Sequence, residues 1–203
     1  MKRTIGFSLC VLMLIFSLCA CSSGKQSSGK STAGSGEELA GKHHVEIVIK
    51  DYGTLKVELD ADSAPITVKN FIDLASSGFY DGLTFHRIFE GFVIQGGDPL
   101  GNGTGGSGKT IKGEFAENGV DNRLSHTRGA ISMARASGDM DSASSQFFIC
   151  QQDCSSSLDG QYAVFGYVTS GMDIVDKICQ TVENANLVPE NERPVIETIK
   201  VID

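Results

Sequence analysis

The sequence lacks several features that would assign it to a particular class of protein. It has no Cys-x-x-Cys pair and no histidine cluster with the spacing of metal ligands, which argues against a metal site. No internal repeat is evident, and tryptophan is absent altogether. We therefore expect neither a metal nor a cofactor.

Positive charge is also scarce, with 17 basic residues against 25 acidic ones. The first 21 residues hold two of the basic residues and none of the acidic ones, so the remainder carries a net charge of −10. An acidic surface argues against a nucleic-acid partner and against electrostatic attachment to anionic lipid. About 160 residues are left for one domain, which is enough for a single buried core.

A long apolar run occurs only at the N-terminus, where residues 1–21 are typical of a targeting segment. Lys2 and Arg3 precede the apolar run Ile5–Ala20, which is short for a membrane span of roughly 20 apolar residues. The last four residues, LCAC, resemble the lipobox of bacterial lipoproteins, which predicts lipidation of Cys21. The alternatives are an ordinary signal peptide or an uncleaved anchor. If Cys21 is lipidated, the acyl chains alone attach the protein to the membrane.

Residues 22–41 are predicted to be a flexible tether, because they are rich in Ser, Gly, Lys and Thr and have few apolar side chains. The folded domain is expected to occupy residues 42–203. Three cysteines lie in that domain, and Cys150 is expected to be a small buried apolar residue. Cys154 and Cys179 either pair in an oxidising exterior or remain free thiols, and the sequence leaves both open.

The domain is predicted to be mainly β. Residues His44–Ile49 and Thr54–Leu59 alternate apolar and polar side chains, as half-buried strands do, and the turn residues Asp51–Gly53 join them into a hairpin. Helical spacing predicts helices over Ala64–Ser77 and Met172–Ile178. Many short strands with glycine-rich connections fit a barrel or a sandwich, and the pattern does not distinguish them. The other predicted strands are Leu83–Ile88, Phe92–Gln95, Ala130–Ala134, Gln146–Cys150, Val164–Val168 and Val195–Ile202.

One stretch places a positive charge among apolar residues. Residues Phe85–Asp98, FHRIFEGFVIQGGD, set Arg87 beside apolar side chains and near the amide of Gln95. The block Ser144–Ile149 again combines an amide with aromatic residues. A fixed cation beside an apolar pocket suits work on a neutral, polarisable group such as a peptide bond. An arginine beside aromatic residues is also common on packed surfaces, so these residue types alone leave both interpretations open.

Five motifs carry a resemblance to a known family. They are FHRIFEGFVIQGGD, NGTGG from Asn102, ISMA from Ile131, SQFFI from Ser145 and LDGQYAVFG from Leu158. In this order and spacing, from about Val45 to the C-terminus, the sequence resembles the cyclophilin family of peptidyl-prolyl cis/trans isomerases. The resemblance implies a closed eight-stranded antiparallel β-barrel capped by two α-helices, and an enzyme that accelerates rotation about X-Pro bonds.

The resemblance also implies roles for individual residues. Arg87 is expected to be the principal catalytic residue, with Gln95 orienting it and Phe92 forming part of a slot for the proline ring. A second group would bind the substrate, by completing the slot, lining an adjoining pocket or supplying backbone hydrogen bonds. The expected substrate-binding residues are Val93, Gly103, Ala134, Arg135, Ala136, Gln146, Phe148, Leu158 and Tyr162. Simple core packing is the alternative for Phe92, Phe148 and Leu158, and it is the expectation for Phe85 and Phe147, while His86 is expected to be structural.

The sequence departs from the family pattern at several positions. Val93 stands where Met is common, Arg135 where Asn is usual and Tyr162 where the pocket has His. Ser157 replaces the Trp that precedes the slot leucine, which puts tight binding of cyclosporin in doubt. The loop 137–144 is slightly longer and more acidic than is usual in the family. We expect this difference to alter which substrate residues are accepted beside the proline.

Residues Gly103–Thr110, GTGGSGKT, match the phosphate-binding pattern GxxxxGK[ST]. That mechanism needs a strand before the loop and a helix after it, so that backbone amides cradle the phosphates. The residues that follow, Ile111–Phe115, form a poor helix because they include Gly113. We therefore expect a glycine-rich loop beside the proline pocket and no nucleotide.

The expected function is that of a lipid-anchored isomerase on the extracytoplasmic face of the cell membrane. It would act as a monomer on proline-containing polypeptides and assist the folding of exported proteins, with no nucleic-acid partner. Two alternatives remain. A binding module would grip proline-containing segments without needing Arg87, and an acidic surface adhesin would use only the tether and the negative charge.

Overall fold

The structure, a computed structural model, describes residues 39–203. Within this range it contains eight β-strands, three α-helices and two short 3-10 helices at Ala116–Asn118 and Glu190–Glu192. The strands are β1 Lys42–Ile49, β2 Gly53–Asp60, β3 Phe85–Ile88, β4 Val93–Gly96, β5 Ala130–Met133, β6 Phe147–Cys150, β7 Val164–Ser170 and β8 Ile196–Val201. The α-helices are α1 Pro65–Ser76, α2 Ser155–Leu158 and α3 Met172–Thr181.

All eight predicted strands are present, and the mainly β fold is confirmed. Strands β1 and β2 pair as the predicted hairpin, whose turn places Asp51 at a φ of 64°. The predicted helices are α1 and α3, although α3 continues three residues beyond the predicted end to Thr181. The single-turn helix α2 was not predicted, because the run SSSL is too short to show a helical period.

The strands form one antiparallel sheet in the order β3-β4-β6-β5-β7-β2-β1-β8. The sheet curls so far that its two edges approach each other. They meet only through the isolated bridge between Thr84 and Val195 and a few flanking bonds, such as the 2.9 Å bond from the Phe85 N–H to the Pro194 carbonyl. The expectation of a closed barrel was therefore slightly overstated: the sheet is a strongly curled half-barrel, because β3 and β8 share no continuous ladder.

The interior of the curled sheet holds the main hydrophobic core. Phe71 of α1 lies at its centre, with ring centroids of Tyr80, Phe147 and Phe165 at 5.2, 5.4 and 5.1 Å. Helix α3 contributes its own buried face to the same cluster through Val175, Ile178 and Cys179. Phe85 and Phe147 are fully buried in this core, which confirms the expectation for both.

A carboxylate from a distant loop caps the N-terminus of α1. The Glu114 side chain is buried, and its two oxygens accept hydrogen bonds from the Ile66 N–H at 3.1 Å and the Thr67 N–H at 2.7 Å. The Thr67 hydroxyl donates to the same carboxylate at 2.6 Å. These backbone donors have no partner inside the helix, and the helix dipole favours a negative charge at this end. Glu114 thus ties the loop before β5 to the helix.

A second, smaller apolar cluster lies on the outer face of the sheet. It contains Val93, Phe148 and Leu158, with Phe92 and Tyr162 packed against it. Alternation along the strands explains the division, since neighbouring side chains point to opposite faces. On β6, for example, Phe147 belongs to the inner core and Phe148 to this outer cluster.

The three cysteines of the described residues are all buried and all free. Cys150 is fully buried, as expected. Of the two possibilities left open for Cys154 and Cys179, the structure has the free thiols. Burial raises the pKa of Cys179 to about 11, which keeps this thiol protonated and unreactive near neutral pH.

The predicted signal peptide at residues 1–21, the predicted lipidation site Cys21 and most of the predicted tether lie outside the described residues. Of the predicted tether, Leu39 packs against the core, and the Gly41 N–H donates to Asp62 at 2.8 Å. The described end of the predicted tether is therefore in contact with the domain. None of the helices within residues 39–203 has both the length and the apolar character needed to cross a membrane.

Candidate functional site

Two adjoining pockets open on the outer face of the sheet. The first, called here the apolar pocket, has a volume of about 170 Å³ and is lined by Arg87, Phe92, Val93, Gln95, Ala134, Arg135, Phe148, Leu158 and Tyr162. The second, the polar pocket, has a volume of about 380 Å³ and is lined by Gln95, Gly103, Thr104, Gly105, Ala134, Arg135, Ala136, Ser142, Ser144 and Gln146. The structure thus brings together every catalytic and substrate-binding residue predicted from the sequence, and Gln95, Ala134 and Arg135 border both pockets.

The apolar pocket is built from the outer cluster. Val93 and Phe148 come from the paired strands β4 and β6, and Leu158 ends the single turn α2. The Phe148 ring meets Tyr162 edge-on, with centroids 5.7 Å apart, and stacks on the buried His126 at 5.8 Å. His126 is itself held by Asp159 at 2.7 Å. The ring of Phe148 therefore has a fixed support, and it both packs in the outer cluster and lines the pocket.

Arg87 supplies a positive charge at the edge of the apolar pocket. Its guanidinium carbon lies 5.1 Å from the ring centroid of Phe89 and 5.6 Å from that of Phe92. Partial burial lowers the pKa of Arg87 from its usual value, but an arginine stays protonated in proteins. Its Nε donates to Asn186 at 3.1 Å and its Nη1 to Gln95 at 3.4 Å. Among the described residues Nη2 has no acceptor, so this side of the guanidinium is available to a ligand.

A chain of amide groups connects Arg87 to the glycine-rich loop. Gln95 accepts from Arg87 and donates through its Nε2 to Gln146 at 3.0 Å. Gln146 in turn donates to the Gly105 carbonyl at 2.8 Å. Each amide uses its oxygen as an acceptor and its nitrogen as a donor, so the chain fixes the orientation of both side chains. The expected role of Gln95 in orienting Arg87 agrees with this geometry, although the bond between them is long.

Arg135 forms the wall between the two pockets. Its guanidinium carbon lies 4.9 Å from the Tyr162 ring and 5.3 Å from the Phe115 ring. Nε donates to the Gln161 carbonyl at 2.9 Å and Nη1 to the Ala136 carbonyl at 3.2 Å. The side chain is therefore a fixed part of the wall and adds a second positive charge near the site.

The backbone around Arg135 differs from the expectation at one position. Ala136 already uses both of its backbone groups, because its N–H donates to Ser142 at 2.9 Å and its carbonyl accepts from Arg135. In residues 39–203, no hydrogen bond engages the backbone N–H or carbonyl of Arg135. Arg135 is thus the residue of the three with both backbone groups free for an extended peptide, while the Ala134 N–H donates to the Gln146 carbonyl at 2.9 Å.

The glycine-rich loop forms one side of the polar pocket. It is organised around the buried carboxylate of Asp98, which accepts from the N–H groups of Leu100 at 2.8 Å, Asn102 at 3.0 Å and Gly103 at 2.6 Å. These bonds lower the pKa of Asp98 in spite of its burial. A side chain at Gly105 would overlap the Asp98 carboxylate, which explains the glycine. No strand ends directly before Gly103, since β4 ends at Gly96, and no α-helix begins directly after Thr110, so the loop lacks the phosphate-binding arrangement.

His86 has the structural environment that was expected. It is buried, and its Nδ1 has no hydrogen-bond partner among the described residues. Burial lowers its pKa, so the ring is held in the neutral form. Its Nε2 lies beneath the glycine-rich loop, 4.0 Å from the position that a Cβ of Gly103 would take. His86 therefore packs behind the site and does not line it.

Sequence reasoning missed several residues around the pockets. Phe89 lies against the guanidinium of Arg87, and its place within the motif FHRIFEGFVIQGGD was the available signal. Asn186 accepts a hydrogen bond from Arg87 but is 99 residues away in the chain, and no motif contains it. The polar pocket is also lined by four residues that were not predicted, namely Thr104, Gly105, Ser142 and Ser144. The signal that could have found them is that they lie in the glycine-rich loop and in the acidic loop 137–144.

Comparisons with known proteins identify the family. The profile of the family described as cyclophilin type peptidyl-prolyl cis-trans isomerase/CLD matches residues 44–201. A peptidyl-prolyl cis-trans isomerase of Helicobacter pylori is 48% identical over 146 residues, which covers 71% of this chain and 85% of that protein. The peptidyl-prolyl cis-trans isomerase B of Bacillus subtilis is 48% identical over 126 residues, covering 62% of this chain and 83% of that protein.

A solved structure agrees with the same assignment. The crystal structure of a Cryptosporidium parvum cyclophilin type peptidyl-prolyl cis-trans isomerase, in the presence of the dipeptide Ala-Pro, superposes with a TM-score of 0.70 at 33% sequence identity. The match covers 79% of this chain and 99% of that chain. The fold, the two pockets and the matched sequence from residue 44 to residue 201 lead to one conclusion: this chain belongs to the cyclophilin-type peptidyl-prolyl cis-trans isomerase family.

Proposed function

We propose that this peptidyl-prolyl cis-trans isomerase acts on X-Pro bonds at the apolar pocket, with Arg87 as the principal catalytic residue. An X-Pro amide rotates slowly because its C–N bond is partly double, with a barrier of about 18–20 kcal/mol. Twisting the bond breaks conjugation, so the proline nitrogen becomes basic and the carbonyl changes its charge distribution. A catalyst needs an apolar slot for the ring and hydrogen-bond donors placed for the twisted amide.

The support for this role is the position of a charged donor against an apolar wall. The guanidinium of Arg87 lies 5.6 Å from the ring of Phe92, and Nη2 is left without an acceptor among the described residues. Phe92, Val93, Phe148 and Leu158 would hold the proline ring by burial of apolar surface. Arg87 would donate to the substrate carbonyl and toward the proline nitrogen as conjugation is lost. No step requires a covalent intermediate or a proton transfer.

The flanking peptide would lie across the wall between the pockets. The free backbone groups of Arg135 would pair with the extended chain, and Gln95 would contact the substrate beside Arg87. Gly103 and Gln146 line the polar pocket and would accept the residues that precede the proline. Tyr162 has no hydrogen-bond partner for its hydroxyl in the described part of the chain, so it can offer a donor at the far side of the slot.

We further propose that the enzyme works as a lipid-anchored monomer outside the cytoplasm, where it assists the folding of exported proteins. The support comes from the sequence of the first 41 residues: a basic start, an apolar run, Cys21 at its end and a polar tract after it. Mass spectrometry of the membrane fraction tests the anchor. We expect the mature chain to begin at Cys21 with diacylglycerol on its sulfur, and an uncleaved, unmodified N-terminus would contradict it.

The catalytic role is tested by exchange NMR on a short peptide with one X-Pro bond. The protein from about residue 37 onward should accelerate cis/trans exchange, and Arg87→Ala should lower kcat/KM by about a hundredfold, the effect of removing one donor that acts on the transition state. Arg123→Ala is the matched control, because Arg123 is exposed and, within the described residues, its side chain pairs only with Asp121. If Arg87→Ala binds the peptide and exchanges it at the unchanged rate, Arg87 has no electrostatic role and binding alone is favoured.

A further inference from the structure

We propose that Asn186 is a positioning residue that holds the guanidinium of Arg87 in its working orientation. This inference rests on the catalytic role proposed for Arg87. Asn186 Oδ1 accepts the hydrogen bond from Arg87 Nε at 3.1 Å, whereas the bond from Nη1 to Gln95 is longer, at 3.4 Å. Asn186 therefore makes the shorter of the two bonds that fix the arginine head.

The segment that carries Asn186 is attached to strand β3 by its backbone. The N–H of Ala185 donates to the Ile88 carbonyl at 2.9 Å, and the N–H of Ile88 donates to the Ala185 carbonyl at 3.0 Å. Three residues after Ala185, the Val188 N–H donates to the His86 carbonyl at 2.8 Å. These bonds lie on either side of Arg87 along β3. The position of Asn186 opposite Arg87 is thus set by the fold and does not depend on the Asn186 side chain.

The two acceptors restrain the guanidinium at different atoms. A bond at Nε and a bond at Nη1 together define the plane of the rigid group, and they leave Nη2 free toward the apolar pocket. An arginine side chain has many rotamers, and each one that points elsewhere removes the donor from the substrate. Restraint before the substrate arrives is what makes a donor effective in the transition state.

Asn186 is suited to a role in positioning because its side chain contributes little to packing. Asn186 is exposed, and within residues 39–203 its side chain makes one hydrogen bond, which its Oδ1 accepts from Arg87. Its neighbour Asn184 gives a matched comparison. Asn184 is also exposed and its Oδ1 also accepts one hydrogen bond, from the Glu90 N–H at 2.8 Å, but it does not touch Arg87. The two asparagines differ in their partner and in little else.

The test measures kcat and KM of the full chain and of three variants with an X-Pro peptide. Asn186→Ala should lower kcat by about tenfold with KM nearly unchanged, the effect of losing one hydrogen bond to a charged group. Asn186→Asp keeps an acceptor oxygen at the same place and should recover most of the loss. Asn184→Ala should leave kcat and KM as they are.

A spectroscopic measurement separates positioning from a general structural effect. In wild-type protein the Nε–H group of Arg87 should give a resolved 1H-15N signal, assigned by its loss in Arg87→Ala. Asn186→Ala should shift and broaden that signal, whereas Asn184→Ala should not. In the Arg87→Ala background, Asn186→Ala should have no further effect on kcat.

The outcomes distinguish this inference from the function on which it rests. If Arg87→Ala lowers activity but Asn186→Ala leaves both kcat and the Nε–H signal unchanged, the positioning role is wrong and the catalytic role stands. If Arg87→Ala itself has no effect, both are wrong. If Asn186→Ala does not fold, the test rests on Asn186→Asp, which keeps an acceptor oxygen. Loss of kcat or of the Nε–H signal in folded Asn186→Asp, while Asn184→Ala behaves like wild type, would overturn the inference.

Discussion

The inner and outer faces of the curled sheet are made by the same strands but differ in what they bury. On β6, Phe147 points inward to a core of apolar side chains, and Phe148 points outward to the pocket. Inside, aromatic rings meet edge to face, as Phe71 and Phe147 do at 90°. Outside, the apolar residues adjoin Arg87, a chain of amides and an open pocket.

From this difference we expect inner residues to determine stability and outer residues to determine catalysis. Inner residues are closed off from solvent and from ligands, so they act on the free energy of unfolding. The outer cluster is also packed, with Val93 and Phe148 buried, but it borders a pocket whose polar side chains are aligned by hydrogen bonds. Because side chains alternate along a strand, a substitution on one face need not disturb the other. The following predictions test how far this separation holds.

The largest expected effect is on the inner face. Phe71→Ala removes a ring that contacts Tyr80, Phe147 and Phe165, and should lower the free energy of unfolding by about 3–5 kcal/mol because it leaves a cavity. Urea unfolding measures the loss, and exchange NMR well below the unfolding midpoint should give wild-type kcat/KM. A large fall in kcat/KM of the folded variant would show that the two faces are coupled.

A smaller effect is expected at the cap of α1. Glu114→Ala leaves the Ile66 and Thr67 N–H groups without an acceptor at a buried helix end, which should cost about 1–3 kcal/mol of unfolding free energy. The exposed Glu117, three residues further along the same loop, is the control, and Glu117→Ala should leave the urea midpoint unchanged. Equal midpoints for the two variants would contradict the capping role.

The smallest effect concerns pH and arises behind the outer face. Burial lowers the pKa of His126, although its bond to Asp159 opposes the shift. The unfolded chain therefore takes up a proton near the ordinary histidine pKa of about 6.5 while the folded protein does not, so stability should fall as the pH falls through that value. His86 acts in the same direction. Urea midpoints between pH 8 and pH 5 should decrease, and His126→Gln should flatten the profile. A midpoint that rises on acidification would contradict this account.

The fold could be predicted from the sequence to the extent that it depends on local pattern. The alternation in β1 and β2 and the helical spacing of α1 were sufficient to locate those elements. Closure was overstated, because the edges at β3 and β8 meet only through the bridge between Thr84 and Val195 and a few flanking hydrogen bonds. A local sequence pattern does not predict how many hydrogen bonds the two edge strands of a sheet will form with each other.

The predicted pocket residues lie within the motifs or directly after one of them, whereas the residues that act on the site or the fold from distant segments could not be predicted. Arg87, Gln95 and Phe148 belong to blocks that the family resemblance covers. Glu114 and Asn186 act across 47 and 99 residues of chain, through contacts that neither composition nor period reveals. Such contacts depend on the assembled fold, so they become visible only in three dimensions.

The most direct test of the separation between the faces uses two adjacent residues of one strand. Phe147→Leu and Phe148→Leu are to be compared in the same urea unfolding and X-Pro exchange measurements. We predict that Phe147→Leu lowers the unfolding midpoint and keeps wild-type kcat/KM. Phe148→Leu should lower kcat/KM by at least about tenfold, which is about 1.4 kcal/mol in transition-state binding. Its unfolding midpoint should change less than that of Phe147→Leu. Equal losses of kcat/KM in both folded variants would contradict the account.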